Sequence, residues 1–283
     1  IFLLFKSKKL WLKVLKNNGV SFFSTAGLNM FFILFSSFSD ALKLLPTILM
    51  HSKLVSYQEM LGAENILCQL ANINNIETFA LEHGISVYDE KGSFWSQYAI
   101  IAYSSSVCRN ILCAGNYSKN IFKKFTSANI FLIGKPGLLK VKNALDGVTF
   151  VFSGDVFDKT INSKLLSISN NLADLGIPVS RWHKPGSSLI KNNITRDGPL
   201  RKIVIGYSSN LIIELGFLGL QVFIIKDSPF TMLPSHLILE DPKLIANKYK
   251  SKDSYPHDFW KSFIDCTDDE SLKRYKNILK KII

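Results

Sequence analysis

Cysteine is scarce in this sequence, and what there is of it is scattered. Cys68, Cys108, Cys113 and Cys266 stand at irregular spacing with no CxxC pair. Neither a zinc cluster nor a disulfide framework is indicated, and a reducing compartment suits the chain. The sequence also has no Asp-x-Asp pair to hold a divalent cation against a diphosphate, so no metal is expected. No internal repeat and no low-complexity tract is found, which sets repeat architectures aside. Charged residues are few, at 20%, against 47% hydrophobic and 12% aromatic, a balance that excludes a disordered chain.

The 283 residues are too many for one small core and suit two compact domains. A net charge of +12 points to anionic partners or surroundings. The lysines are scattered singly or in pairs, without an aromatic-interleaved RNA-binding signature, so nucleic acid is not the expected partner. No leader pattern is visible, and a chain that begins at Ile1 leaves room for a natural start upstream. Between Lys16 and Asp40 there is no charge, a length that matches a membrane span. Ser21, Ser24, Thr25, Asn29, Ser36 and Ser37 interrupt it, so the expectation is a buried strand and helix.

Residues 1–18 alternate large apolar side chains with Lys6, Lys8, Lys9, Lys13 and Lys16. That pattern suits a first strand and helix, or a segment lying on an anionic membrane surface. Strands are then predicted at 31–35, 77–81, 98–102, 131–133, 148–152, 177–182, 202–205 and 221–225. Helices are predicted at 39–50, 65–72, 162–175, 209–217 and 270–283. Strands alternating with helices make βαβ units and parallel sheets, an α/β fold. Gly134-Lys135-Pro136-Gly137 punctuates the chain most strongly and places a junction near it, giving domains 1–135 and 136–283.

Three strand ends carry candidate chemistry, since open α/β sheets bind ligands at the carboxyl ends of their strands. The strand at 77–81 delivers His83, able to donate to a phosphate or carry a proton, and Gly84, which admits a close backbone approach. Taken alone, a histidine in the place of His83 is more often structural. The strand at 177–182 ends in Arg181, His183 and Lys184, with Arg181 and His183 on one face. Three cations within four residues suit a diphosphate leaving group, or else form a solvated basic turn. The strand at 202–205 is followed by Ser208 and Ser209 at a helix start, a site for a phosphate or simply a cap.

In order and spacing these three sites resemble the GT-B transferases of capsule and lipooligosaccharide synthesis, bacterial sialyltransferases and polysialyltransferases included. The likeness runs over residues 65–226. It rests on Glu82-His83-Gly84 where the family has a Gln-His-Gly-like element, and on His183-Lys184-Pro185 where it has His-Pro. It rests further on Ser208-Ser209 before a helix and on the glycine-led apolar strand 219–225. The resemblance implies two Rossmann-like domains facing a cleft: an acceptor-side domain at 1–135 and a nucleotide-sugar donor domain at 136–283, the last helix crossing back.

It also implies that His183 and the serine pair hold the donor phosphate, with Arg181 and Lys184 beside them. His83 would be catalytic, and the general base an acidic residue of the first domain, for which Asp89 and Glu90, otherwise an exposed turn, are the candidates. Ser118 and Lys119, at a possible helix start, would meet donor or acceptor. The implied reaction moves a sugar, such as sialic acid from CMP-sialic acid, onto a surface polysaccharide or lipooligosaccharide. No cofactor is needed beyond the nucleotide-sugar donor. The partners are a glycan or glycolipid acceptor and the anionic inner face of the cell membrane, where a cytoplasmic enzyme would sit peripherally. Two alternatives are polyol-phosphate transfer from a CDP-alditol, as in teichoic-acid polymerases, and a non-catalytic basic RNA-associated protein.

Overall fold

The computed structural model describes residues 25–57, 62–82, 84, 100, 103–137, 141, 143–153, 155–183, 196–226, 228, 230, 232–239, 245 and 257–281. The chain divides into two compact units, one of residues Ile1–Leu81, Ala102–Ile111 and Ser127–Asn129, the other of Glu82–Ile101, Leu112–Thr126 and Ile130–Ile283. Four strands, β1 (Lys53–Ser56), β2 (Glu77–Leu81), β3 (Asn110–Cys113) and β4 (Asn129–Leu132), form one sheet in that order, with β1 and β2 parallel.

In the first unit, helix α1 (Thr25–Ile48) packs on α2 (Gly62–Ile73) through Ala41, Leu67 and Leu70, flanked by Leu45 and Ile48. The strand expected at 31–35 is instead part of α1, and it is not buried: Phe32, Ile33 and Phe35 are 64%, 66% and 60% exposed. A short, unalternating apolar run has no period of its own, and no turn residue separates this one from the helical spacing that follows it. Of the strand expected at 98–102 only Ile100 is described, and it is helical; the rest lies outside the described residues. Among the described residues no helix is long and apolar enough to cross a membrane.

Asn72, at the end of α2, accepts from the Thr78 hydroxyl at 2.7 Å, and the same Thr78 oxygen accepts the Arg109 N–H at 2.9 Å. Asn110 donates to the Thr78 carbonyl at 3.1 Å and to the Glu77 carboxylate. Thr78 and Asn110 are buried, and each donor here meets an acceptor, as buried polar groups require.

The second unit holds a six-stranded sheet of order β10-β9-β8-β5-β6-β7. Its strands are β5 (Leu145–Phe152), β6 (Val179–His183), β7 (Arg196–Asp197), β8 (Arg201–Gly206), β9 (Gln221–Ile225) and β10 (Ile238–Leu239). All pairs are parallel except the edge pair β6–β7. Period-two alternation sends Phe150, Phe152, Ile203, Ile205, Phe223 and Ile225 to one face, under Leu165, Ile168 and Leu172 of α4 (Asp155–Asp174). Val151, Val204, Val222 and Ile224 go to the other, under Ile212, Ile213 and Leu215 of α5 (Asn210–Phe217) and Trp260 of α6 (His257–Lys261). Each fully buried phenylalanine contributes about 2–3 kcal/mol.

A sheet covered on both faces, with helices crossing between parallel strands, is the expected α/β fold, here in Rossmann-like form. The Gly-Lys-Pro-Gly segment is anchored in the same unit. Lys135 N–H donates to the Cys266 carbonyl at 2.8 Å, just before α7 (Asp268–Lys281). Gly134 has a φ of +78°, and a Cβ there would lie 2.1 Å from that carbonyl oxygen.

Candidate functional site

From β5 the chain passes through α4 to β6 on one side, then returns to place β8 on the other side of β5. The carboxyl ends of β5 and β8 are therefore the point at which the winding reverses, where a crevice opens in sheets of this kind. Ser153 follows β5 and Ser208 follows β8, and their hydroxyls meet at 2.8 Å. Ser208 and Ser209 lead into α5. Ser209 is its N-cap, with extended backbone and a side-chain oxygen that accepts the Leu211 N–H at 3.4 Å. The first turn of α5 thus brings its N–H groups and the positive end of its dipole to the hydroxyl pair, a combination suited to an anion. Ser228, after β9, donates to the Tyr207 carbonyl and accepts the Phe230 N–H at 3.1 Å, which ties down the neighbouring loop.

His183 closes β6 at the same sheet edge. It is the register partner of Phe152 and stacks on that ring at 4.5 Å and 14°. His183, Ser153 and Ser208 therefore stand at the ends of three adjacent strands. Arg181 shares the His183 face but lies two residues inside the strand. Its guanidinium bonds Ser169 at 3.0 Å and Asn170 at 2.9 Å on α4, and approaches Asp197 at 3.9 Å. Lys184 lies outside the described residues, as do His83, Asp89 and Glu90.

A second cluster gathers at the other expected strand end, within the second unit. Glu82 accepts the Ala114 N–H at 2.8 Å and the Ser118 hydroxyl. Burial pushes its carboxyl up to about 7, although the Ser118 and Ala114 hydrogen bonds and the positive charge of Lys135 pull the other way. Ser118 is fully buried on α3 (Asn116–Phe125) and donates to Glu82, which corrects the expectation that it meets a ligand. Lys135 pairs with Glu214 of α5. Gly84 lies so near the start of α5 that a Cβ on it would fall 2.2 Å from the Asn210 amide nitrogen. The 82–84 element and the Ser208-Ser209 element, far apart in sequence, thus converge on one helix. Burial first, and then the charge of Glu82, raises the thiol of Cys113, so it stays protonated and is no nucleophile.

Ser153, Lys135 and the role of Glu82 emerge only from the structure. Ser153 carries the signal of a small polar residue directly after the first strand of a doubly wound sheet. Lys135 was masked by the turn residues around it, and the environment of Glu82 depends on Ala114 and Ser118, over 30 residues away. Among the described residues no group of three or more His, Cys, Asp or Glu side chains could hold a metal ion.

No protein-family model matches the chain, and no curated protein matches it. Among solved structures, the crystal structure of TarM is similar at 12% identity, covering 73% of this chain and 48% of that one with a TM-score of 0.36. The chain thus spans about half the length of that protein, and a likeness this distant carries nothing further.

Proposed function

We propose that this chain is a glycosyltransferase that takes a sugar from a nucleotide donor without a metal ion. The observation that carries the reading is the meeting of Ser153, Ser208 and the N-terminus of α5 at the reversal point of a doubly wound sheet. A nucleotide phosphate fits there, with His183 on the adjacent strand donating to it as negative charge grows on the leaving group. An acceptor hydroxyl attacks the anomeric carbon. The new C–O bond forms as the bond from that carbon to the phosphate oxygen breaks, and the electron pair leaves with the phosphate.

The hydroxyl proton must go to a base. Of the acidic candidates we assign this to Glu82 ahead of Asp89 and Glu90, because Gly84 two residues on approaches Asn210 at the start of α5, and a carboxyl held near 7 is matched to proton transfer at neutral pH. His83, the next residue, stays with it as a catalytic candidate. Arg181 and Lys184 complete the proposed donor contacts.

The finer reading belongs to the same proposal. The donor is CMP-sialic acid and the acceptor a surface polysaccharide or lipooligosaccharide. Residues 1–135 form the acceptor side and 136–283 the donor side of a GT-B enzyme. The lysines of residues 1–18 hold it to the anionic inner face of the cell membrane.

A transfer assay with CMP-sialic acid, UDP-sugars, GDP-mannose and a CDP-alditol against lipooligosaccharide and capsule oligosaccharide acceptors tests it. Sugar transfer from one nucleotide donor is expected. Transfer from the CDP-alditol alone would replace glycosyl by polyol-phosphate transfer, and no transfer from any donor would refute both.

A further inference from the structure

Asn162, on the first turns of α4, is 1% exposed and carries an amide inside the apolar layer beneath the sheet. Its partners explain its presence. The amide oxygen accepts the Ser153 N–H at 3.2 Å, and the amide nitrogen donates to the Ser153 carbonyl at 2.8 Å. Both main-chain groups of Ser153 are thus taken by one side chain at the residue where β5 leaves its ladder.

A strand end normally passes such groups to water or to whatever binds there. Here they are closed off, and what Ser153 turns toward Ser208 is its hydroxyl, at 2.8 Å. An amide does this at any pH, since it offers one acceptor and one donor side by side, as the peptide group of a neighbouring strand would. Neither Leu, which supplies no polar atom, nor an ionised Asp, which supplies acceptors only, can replace it.

We propose that Asn162 is a positioning residue of the donor site, fixing the strand end so that the Ser153–Ser208 hydroxyl pair faces the anionic group of the ligand. This rests on the reading of that site as a nucleotide-phosphate site. Asn162 touches no ligand itself and acts through Ser153. The consequence is chemical. An aspartic acid in its place reproduces the amide only when protonated, since the acid O–H then donates to the Ser153 carbonyl while the other oxygen accepts the N–H. The ionised form sets an oxygen against that carbonyl and a negative charge behind the phosphate.

The experiment measures the affinity of CMP, CDP, UDP, GDP and inorganic pyrophosphate for wild type, Asn162→Asp, Ser153→Ala and the double variant between pH 5.5 and 8, with circular dichroism verifying the fold of each. Asn162→Asp should weaken the best-bound nucleotide by roughly ten- to a hundredfold at pH 8, and the deficit relative to wild type should shrink toward pH 5.5. Ser153→Ala should weaken binding by itself and leave Asn162→Asp with little further effect, as expected for residues acting in series. Folded Asn162→Asp with wild-type affinity at every pH would overturn the positioning role while leaving the donor site standing. A wild type that binds none of the five probes would overturn the donor site, and this inference with it. If Asn162→Asp does not fold, the Ser153→Ala affinity decides, and an unchanged value there overturns the proposal.

Discussion

Replacing Glu82 by Gln separates what the carboxylate does for stability from what it does for chemistry. The side chain keeps its shape, and the amide can satisfy the same neighbours, its oxygen accepting the Ala114 N–H and its nitrogen donating to a rotated Ser118 hydroxyl. What disappears is the titration. The carboxyl has its pKa raised from 4.5 to about 7 in the folded chain. The folded state therefore holds the proton more tightly than the unfolded state does, and that contribution is complete below 4.5 and lost as pH rises toward 7. The limit for such a rise is about 3 kcal/mol. Because Glu82 as a residue is only half-buried, solvent relaxation brings the expected figure to about 1–2 kcal/mol.

Glu82→Gln should accordingly match wild type near pH 4.5 and exceed it at pH 8 by a few degrees in Tm. Its turnover should fall by roughly a hundredfold or more at every pH, because an amide accepts no proton. Thermal unfolding across pH 4.5–8, followed by a donor-turnover assay, reads both. A variant whose stability keeps the wild-type pH dependence would show that the carboxyl is not raised. One that is stabilised yet retains full turnover would confine Glu82 to a structural role.

His183→Ala should leave the fold intact and lower turnover by about a hundredfold, near 3 kcal/mol for one donor to the leaving phosphate; unchanged kinetics in a folded variant would return His183 to an ordinary strand-end residue. Ser208→Ala and Ser209→Ala should cost less, because the N–H groups of α5 remain, and nucleotide titration ranks them against His183→Ala. Arg181→Ala should lower stability by about 1 kcal/mol through its bonds to Ser169 and Asn170 and weaken nucleotide binding beyond that loss; an affinity that falls no further than the stability would confine Arg181 to anchoring α4. Gly134→Ala should destabilise by about 2 kcal/mol or more in a denaturant titration, since it combines a left-handed backbone with a Cβ driven into the Cys266 carbonyl.

Where a strand is short, apolar and bounded by turn residues, the local pattern is sufficient. Glu77–Leu81 and Gln221–Ile225 occupy the positions that alternation and flanking glycines assign them. The helix after β5 begins at Asp155, ahead of the expected 162, because a leucine stripe marks only the turns that pack under the sheet, here through Leu165, Ile168 and Leu172. Residues 31–35 deceive because large apolar side chains suggest burial, whereas α1 leaves Phe32, Ile33 and Phe35 exposed.

The candidate site was legible in part, for a similar reason. His183, Ser208 and Ser209 follow strands and can be placed by the rule that ligands gather at strand ends. The pairing of Ser153 with Ser208 depends on β8 lying beside β5, which no local pattern reveals. The raised carboxyl of Glu82 depends on burial supplied by distant segments.

Binding of a nucleotide phosphate at the reversal point of the six-stranded sheet is read by thermal unfolding of the wild-type chain in increasing CMP, CDP, UDP and GDP. One of the four should raise Tm progressively with the logarithm of its concentration, adding about 2.7 kcal/mol at a hundred times its Kd, and Ser208→Ala should shift that curve to higher concentration. Four flat curves up to millimolar nucleotide would contradict the claim.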